Sequence, residues 1–437
     1  MKKKIIILFI VLLGISWFSS ISTMLGNPKE MKSHIEKAEA LDEKGIYVEA
    51  IEEYQEALAY RPDDVNIVMK IAHDYLLIDE TKKYTNTLMQ AVELQKDGSE
   101  EALNELMNYY IDEEQEDKAA RYIRDYVAKA PEIEYAQKWF IQLKGSYKEL
   151  YCRYDEMLGM YYDNMVVKSG DYYSIIDASG SRLLEMSYKN ITPFSPDGLS
   201  RTLNEKGEVI YIDKDGLTRV VPNPEYDNLG ILIDSRIPAS SEGKYGFLDE
   251  KGEPVTEFKW DNITAYHKAG AAQHDGKWAV ISSKGKEKTE YVYDGVLIDQ
   301  YGVACYQDRL FMKRNNQYVL VDNKGKEVSE LLFDDARPFT DTGCAAVCKN
   351  GKWGFIDTDG TLVIDYQYDN AQSFSYGYAA VCVGDRWGYI DTEGNLIIDT
   401  VFLDATSFSS EGSVAVKMET EEDDEAGWRL IRLNIAS

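Results

Sequence analysis

From about residue 32 to residue 150, apolar and small side chains recur three and four positions apart with almost no Pro or Gly, the pattern of helices that bury one face. After Met165 the pattern changes. Apolar and polar positions alternate over short runs separated by Gly-rich turns, and this persists to the C-terminus. The expected fold class is multidomain, α first and then all-β.

A third pattern precedes both. Lys2, Lys3 and Lys4 lead an unbroken apolar run from Ile5 to Leu13, which continues with softer residues to Leu25. About twenty largely apolar residues suffice to span a bilayer as a helix, and the positive-inside rule keeps the lysines cytoplasmic. Residues 1–25 are expected to anchor a single-pass cell-membrane protein with its domains outside the cytoplasm. The alternative is a signal peptide cleaved near Ser19-Ser20-Ile21-Ser22, giving a secreted product.

Self-similarity resolves each half further. Gly45, Tyr47, Ala50, Tyr54, Ala57 and Pro62 have the spacing of paired helices: a Gly turn, small residues where helices approach, and a Pro stop. Ala72, Tyr75, Leu88 and Ala91 follow thirty-four residues on, with Asp79, Tyr84 and Lys96 in place of Gly, Ala and Pro; Leu106, Tyr110, Ala119 and Pro131 mark a third unit. This array resembles the tetratricopeptide repeat (TPR) family. It is expected over residues 32–157, with a capping helix from Glu132 to about Met157.

In the β half, an Asp or Ser recurs at 177, 213, 249, 282, 322, 357 and 391, at spacings of 36, 36, 33, 40, 35 and 34 residues. The clearest copies run from Gly351-Lys352-Trp353-Gly354-Phe355-Ile356-Asp357 and Gly384-Asp385-Arg386-Trp387-Gly388-Tyr389-Ile390-Asp391, and a final partial copy contains Trp428-Arg429-Leu430-Ile431. Each has a second half, an aromatic followed by Asp and later a Gly and a small-residue strand, as at Tyr368-Asp369 through Gly377 and Ala379. The array over residues 165–437 resembles the WG-repeat family of bacterial proteins, although Ala279, Val319 and Ser174 replace the motif's Gly. About seven stacked units suit a β-propeller-like ring; a β-solenoid is the alternative. Gly354 and Gly388 suggest close approach of a neighbouring ring or backbone.

Charge narrows the partners. With 76 acidic against 48 basic residues the net charge is −28, which opposes nucleic-acid binding. The excess is global: residues 31–164 hold 30 acidic and 16 basic groups, residues 165–437 hold 45 and 28. Five cysteines, Cys152, Cys305, Cys344, Cys348 and Cys382, read as free and buried.

Catalytic chemistry is not singled out. His34, His73, His267 and His274 lack metal-ligand spacing. The paired turn acids Asp213/Asp215, Asp357/Asp359 and Asp391/Glu393 follow ordinary turn chemistry rather than a calcium loop. Residues 419–425 read as an acidic loop insertion. No catalytic, cofactor or metal residue is assigned. TPR stacks present a concave face from their first helices, and here Ile35, Glu39, Met69 and His73 would stand on it, favouring a basic or apolar peptide. Tyr75, Tyr110, Trp353 and Trp387 are the candidate binding surface. The expectation is a non-enzymatic, membrane-tethered extracytoplasmic scaffold for protein or cell-wall glycan partners; the alternative is an envelope hydrolase with a carboxylate pair.

Overall fold

The computed structural model describes residues 28–94, 99–340, 343–419 and 426–436. The proposed anchor at residues 1–25 and most of the acidic insertion lie outside them. Among the described residues no helix is long and apolar enough to cross a membrane. The chain divides into two units, meeting between Leu143 and Lys144.

The first unit holds seven helices among the described residues: α1 (Pro28–Asp42), α2 (Tyr47–Tyr60), α3 (Val65–Leu77), α4 (Thr81–Glu93), α5 (Ser99–Asp112), α6 (Glu116–Lys129) and α7 (Glu134–Leu143). Ala38, Ala50, Ala57, Ala72, Ala91, Ala102 and Ala119 are fully buried where neighbouring helices meet, because only a small side chain allows close approach. The three helix-pair turns, at Gly45, Asp79 and Glu114, all take positive φ (72°, 63° and 56°). The last carbonyls are recaptured in the same way each time, by Ile46 N–H on Leu41, Glu80 N–H on Tyr75 and Gln115 N–H on Tyr110.

Among the described residues the second unit contains eight small antiparallel sheets. Sheets one to three have their long strands at Asn164–Ser169 with Tyr172–Asp177, Ser200–Leu203 with Val209–Ile212, and Ile237–Ser241 with Lys244–Leu248. Sheets four and five are built on Gly270–His274 with Lys277–Ile281, and Arg309–Arg314 with Gln317–Asp322. Sheets six to eight are built on Cys344–Lys349 with Lys352–Asp357, Tyr378–Val383 with Arg386–Asp391, and Ser413–Met418 with Gly427–Leu433. A two-residue inner strand precedes the hairpin in six of them, as at Asp335–Ala336 and Asn370–Ala371.

Two expectations are corrected here. Residues 144–157, given to the helical array, fold with the β unit, and Tyr147–Leu150 is a strand paired antiparallel with Gly427–Leu433 of sheet eight. The helical spacing ends at Leu143 with α7, and beyond it Leu150 and Met157 pack in a sheet core. In addition, the partial copy at Trp428 is a full sheet once Tyr147–Leu150 joins it, so there are eight sheets rather than about seven.

Each sheet packs on the next. Val166 and Ile175 of sheet one meet Ile212 of sheet two, Val280 of sheet four meets Leu310 of sheet five, and Ala346 and Phe355 of sheet six meet Val381 of sheet seven. Phe408 of sheet eight touches Tyr378 and Tyr389 of sheet seven at 5.1 and 4.8 Å between ring centroids. Ala415 and Leu430 of sheet eight then pack on Met165 and Val167 of sheet one, so the circuit of contacts closes.

The repeat residues explain the sheets. Asp391 Oδ1 accepts the N–H groups of Glu393 and Asn395, and the same carboxylate turn recurs at Asp177, Asp213, Asp249, Asp322 and Asp357. A second Asp staples the hairpins of sheets four to seven: Asp261, Asp294, Asp334 and Asp369 accept the N–H of Asp275, Asn315, Asn350 and Gly384 at 2.8 Å. A Cβ on Gly354 or Gly388 would lie 2.6 or 2.5 Å from the carbonyl oxygen of Ile364 or Ile398, so the outer strands Leu362–Tyr368 and Leu396–Phe402 can dock only on glycine. Beside Ser174, Ala279 and Val319 the outer strand is reduced to isolated bridges, as it also is beside Gly246 of sheet three.

Candidate functional site

In each sheet a loop leads from the inner edge into the first long strand, and these loops gather around one cavity of about 880 Å³. Its lining comes from sheets one, two and four to eight. Hydrogen bonds between neighbouring sheets fix the loops. Asn164 donates to the Phe194 carbonyl and accepts the Phe194 N–H, Asp197 accepts the N–H groups of Asp234 and Ser235, and Asp234 accepts the Lys268 N–H. Thr340 donates to the Phe374 carbonyl, Ser375 donates to the Phe408 carbonyl, and Asp163 accepts the N–H and hydroxyl of Ser410.

Sheet five departs from the others. Its loop is longer, and Asp299 nucleates an extra turn by accepting the N–H groups of Tyr301 and Val303. Val303 then bridges to Ala265 of sheet four. This loop carries Tyr301 and Tyr306 to Tyr161 of sheet one: the Tyr161 and Tyr301 rings lie 4.7 Å apart at 62°, and the Tyr306 hydroxyl donates to Asp299 at 2.5 Å. Tyr162 stands at 89° to Tyr161, 4.8 Å away. Burial raises the Asp299 carboxyl despite its hydrogen bonds. Burial, reinforced by the charges of Asp234, Asp299 and Asp197, pushes the Tyr162 hydroxyl up to about 12.

The helical unit has a smaller hollow of about 780 Å³, lined by Glu100, Glu101, Glu105 and Asp112 of α5 with Tyr84 of α4. Glu105 accepts from His73 and from the Tyr84 hydroxyl, at 2.9 and 2.7 Å. Burial works to raise the Glu105 carboxyl, but those bonds outweigh it and hold it low, while the bond to Glu105 raises His73. Glu39 of α1 is likewise paired with Lys70 of α3. Met69, expected on this face, is buried in the core instead.

Sequence reasoning misplaces most of the candidate surface. Trp353 and Trp387 are 6% and 9% exposed, Tyr110 is 5% exposed, and Tyr75 is half-buried beneath the Lys83 ammonium. Trp353 fills the core shared by sheets six and seven, where the Arg337 guanidinium also covers it at 4.4 Å. A ring so packed offers no free face. The cavity tyrosines were missed because they stand in the turns of the repeat's second half, not in its Trp-Gly strand; one signal was the spacing of 40 residues between positions 282 and 322.

Asp261, His274 and Asp275 bring potential metal-ligand atoms within 4.8 Å of one another. Asp261 is held by Lys244 at 2.6 Å, as Asp294 is by Lys277 and Asp369 by Lys352, each at 2.5 Å, and these lysines hold all three carboxyls low. The same staple without a histidine at Asp294 and Asp369 marks the Asp261 group as a structural device. All five cysteines are free, and burial pushes the Cys152 thiol up to about 11 and Cys305 to about 12.

No curated protein matches the chain. Among solved structures, the crystal structure of the eukaryotic initiation factor aligns over 65% of this chain and 84% of its own, at 13% identity and a TM-score of 0.41. Kluyveromyces lactis Hsv2 aligns over 61% and 93%, at 13% identity and a TM-score of 0.31, and the AfRom2 CNH domain over 66% and 99%, at 12% and 0.31. The family model of the WG containing repeat matches residues 245–278, 320–353, 353–387 and 387–419. Residues 245–419 of the β unit therefore carry WG containing repeats at these four stretches.

Proposed function

We propose that this protein is a non-enzymatic binding scaffold, a TPR-like helical array followed by an eight-bladed β-propeller, tethered outside the cytoplasm by its N-terminal apolar segment. The ring reading is favoured over an open solenoid by the pairing of Tyr147–Leu150 with Gly427–Leu433 and the packing of sheet eight on sheet one. The turns at Gly45, Asp79 and Glu114, spaced 34 and 35 residues apart, support the TPR reading.

One observation carries the functional reading: the cavity of about 880 Å³ combines aromatic faces with neutral hydrogen-bonding groups such as Gln300, Gln307 and Gln372. Its most enclosed acids already serve the fold, since both oxygens of Asp163 and of Asp299 accept hydrogen bonds. That favours recognition over the acid–base pair a hydrolase needs. Protein or glycan partners suit the cavity, and basic segments suit the acidic hollow on α5. The test is binding of the detergent-solubilised full chain to arrays of cell-wall oligosaccharides and of peptides. Binding that is lost in Tyr161→Ala with folding intact is the expected result; hydrolysis of any arrayed glycan overturns the non-enzymatic reading.

A further inference from the structure

Two of the cavity's rings stand where the backbone does not favour them. In sheets one, three, five and seven a two-residue turn leads towards the first long strand, closed each time by an antiparallel bridge: Tyr161 with Asn164, Ile233 with Arg236, Tyr306 with Arg309 and Ser375 with Tyr378. Both turn residues take positive φ, a conformation suited to Asn, Asp or Gly. The first position holds Asp234 in sheet three and Gln307 in sheet five, at 50° and 52°, but Tyr162 in sheet one and Tyr376 in sheet seven, at 46° and 48°. Burial does not account for the two tyrosines, which line the cavity and are 42% and 39% exposed. Bulky side chains held in the left-handed region and left open to a cavity mark a functional position rather than a folding one.

Hydrogen bonds hold these two turns against one loop of sheet eight. Asp163, next to Tyr162, accepts the N–H and hydroxyl of Ser410, both at 2.6 Å, and Ser375, next to Tyr376, donates to the Phe408 carbonyl at 2.8 Å. Phe408 and Ser410 are two residues apart, at most about 7 Å along the chain. The Tyr376 phenol is near enough to act on the Tyr162 hydroxyl. Sheets seven and eight add the neutral groups of Gln372 and Ser407 to the same lining, while Asp163 has both its oxygens engaged. A sugar ring matches this set: it presents an apolar C–H face to an aromatic ring and a rim of hydroxyls to neutral donors and acceptors, and it needs no counter-charge. We propose that Tyr162 and Tyr376 are the paired contact rings of a neutral-oligosaccharide site on the sheet-eight side of the cavity. This rests on the reading of the cavity as a binding site and narrows its ligand from protein or glycan to glycan.

The test is calorimetric titration of the full chain, solubilised in a detergent without a sugar headgroup, with neutral tetramers of N-acetylglucosamine, glucose and galactose and with tetra-alanine and tetralysine. At least one sugar tetramer is expected to bind, with Tyr376→Asn weakening it about fivefold or more and Tyr376→Phe, which keeps the ring, weakening it less than about twofold. Asn before Gly377 suits the turn better than Tyr does, so Tyr376→Asn is also expected to leave the melting temperature unchanged or raised, a combination that a merely structural tyrosine does not give. If Tyr376→Asn melts lower, Tyr162→Asn repeats the comparison. Sugar binding unchanged in both Asn variants overturns the inference, as does binding of a peptide with no sugar bound, which leaves the scaffold reading standing. Failure of every probe and every arrayed ligand removes both.

Discussion

The two units repeat at nearly the same period and use opposite strategies. In the helical unit each pair touches its neighbours and polar groups are matched along the face, Glu39 with Lys70 and His73 with Glu105. One interior flaw is tolerated: Asp74 is 3% exposed against Asp42, which also receives the Tyr54 hydroxyl at 2.7 Å. In the β unit the last sheet returns to the first, and turn carboxylates are saturated by backbone N–H groups. A linear stack isolates a defect in one repeat, whereas a closed circuit lets every repeat feel it.

Breaking the circuit is expected to have the largest effect. Glu149→Pro removes ladder pairing in Tyr147–Leu150 and should lower stability of the whole β unit by about 3 kcal/mol or more, with tryptophan fluorescence and far-UV CD changing at one lower urea midpoint. Glu36→Pro in α1 should melt only the first helix pair. Next comes the glycine contrast. Gly388→Ala drives a Cβ into the Ile398 carbonyl and should cost about 2–4 kcal/mol, while Gly384→Ala, whose Cβ meets open space at positive φ, should cost about 1 kcal/mol.

The helical flaw sharpens the comparison through pH. Burial, with Asp42 beside it, raises Asp74 from 3.8 to about 7. The folded state therefore binds the proton more tightly than the unfolded chain; the penalty is absent below about pH 4, grows as pH rises and is complete above about pH 7. Asp74→Asn should stabilise the helical unit by about 1–3 kcal/mol at pH 8, with the gain vanishing by pH 4 in thermal melts. Smallest of all, Lys352→Ala, which removes an exposed partner of Asp369, should change stability by less than about 1 kcal/mol.

Local grammar was legible in the sequence, and the strand that completes the last sheet was not. Gly45 announced a helix turn, and Asp79 and Glu114 fill the same left-handed position despite their side chains, so the period survived the substitutions. The Asp and Ser positions from 177 to 391 all mark turns at the ends of long strands. The strand at Tyr147–Leu150 was illegible because four residues fit a helical period as well as a strand, and its partner lies almost three hundred residues away. Trp353 and Trp387 were read as recognition rings on composition, although the adjacent glycine shows that the backbone is packed tightly there. The cavity arises from loops that recur in the repeats but differ in length and side chains, which is where function escapes a periodic pattern.

The most direct measurement is ring-carbon NMR of the tyrosine-labelled full chain, assigned by Tyr→Phe variants and titrated with an oligolysine peptide and an N-acetylglucosamine tetramer. Shifts in response to at least one probe are expected at Tyr161, Tyr162, Tyr301 and Tyr376, with Tyr172 on the first sheet's hairpin unmoved. Shifts confined to Tyr172 and other rings outside the cavity, or none with either probe, would contradict the cavity as the binding site.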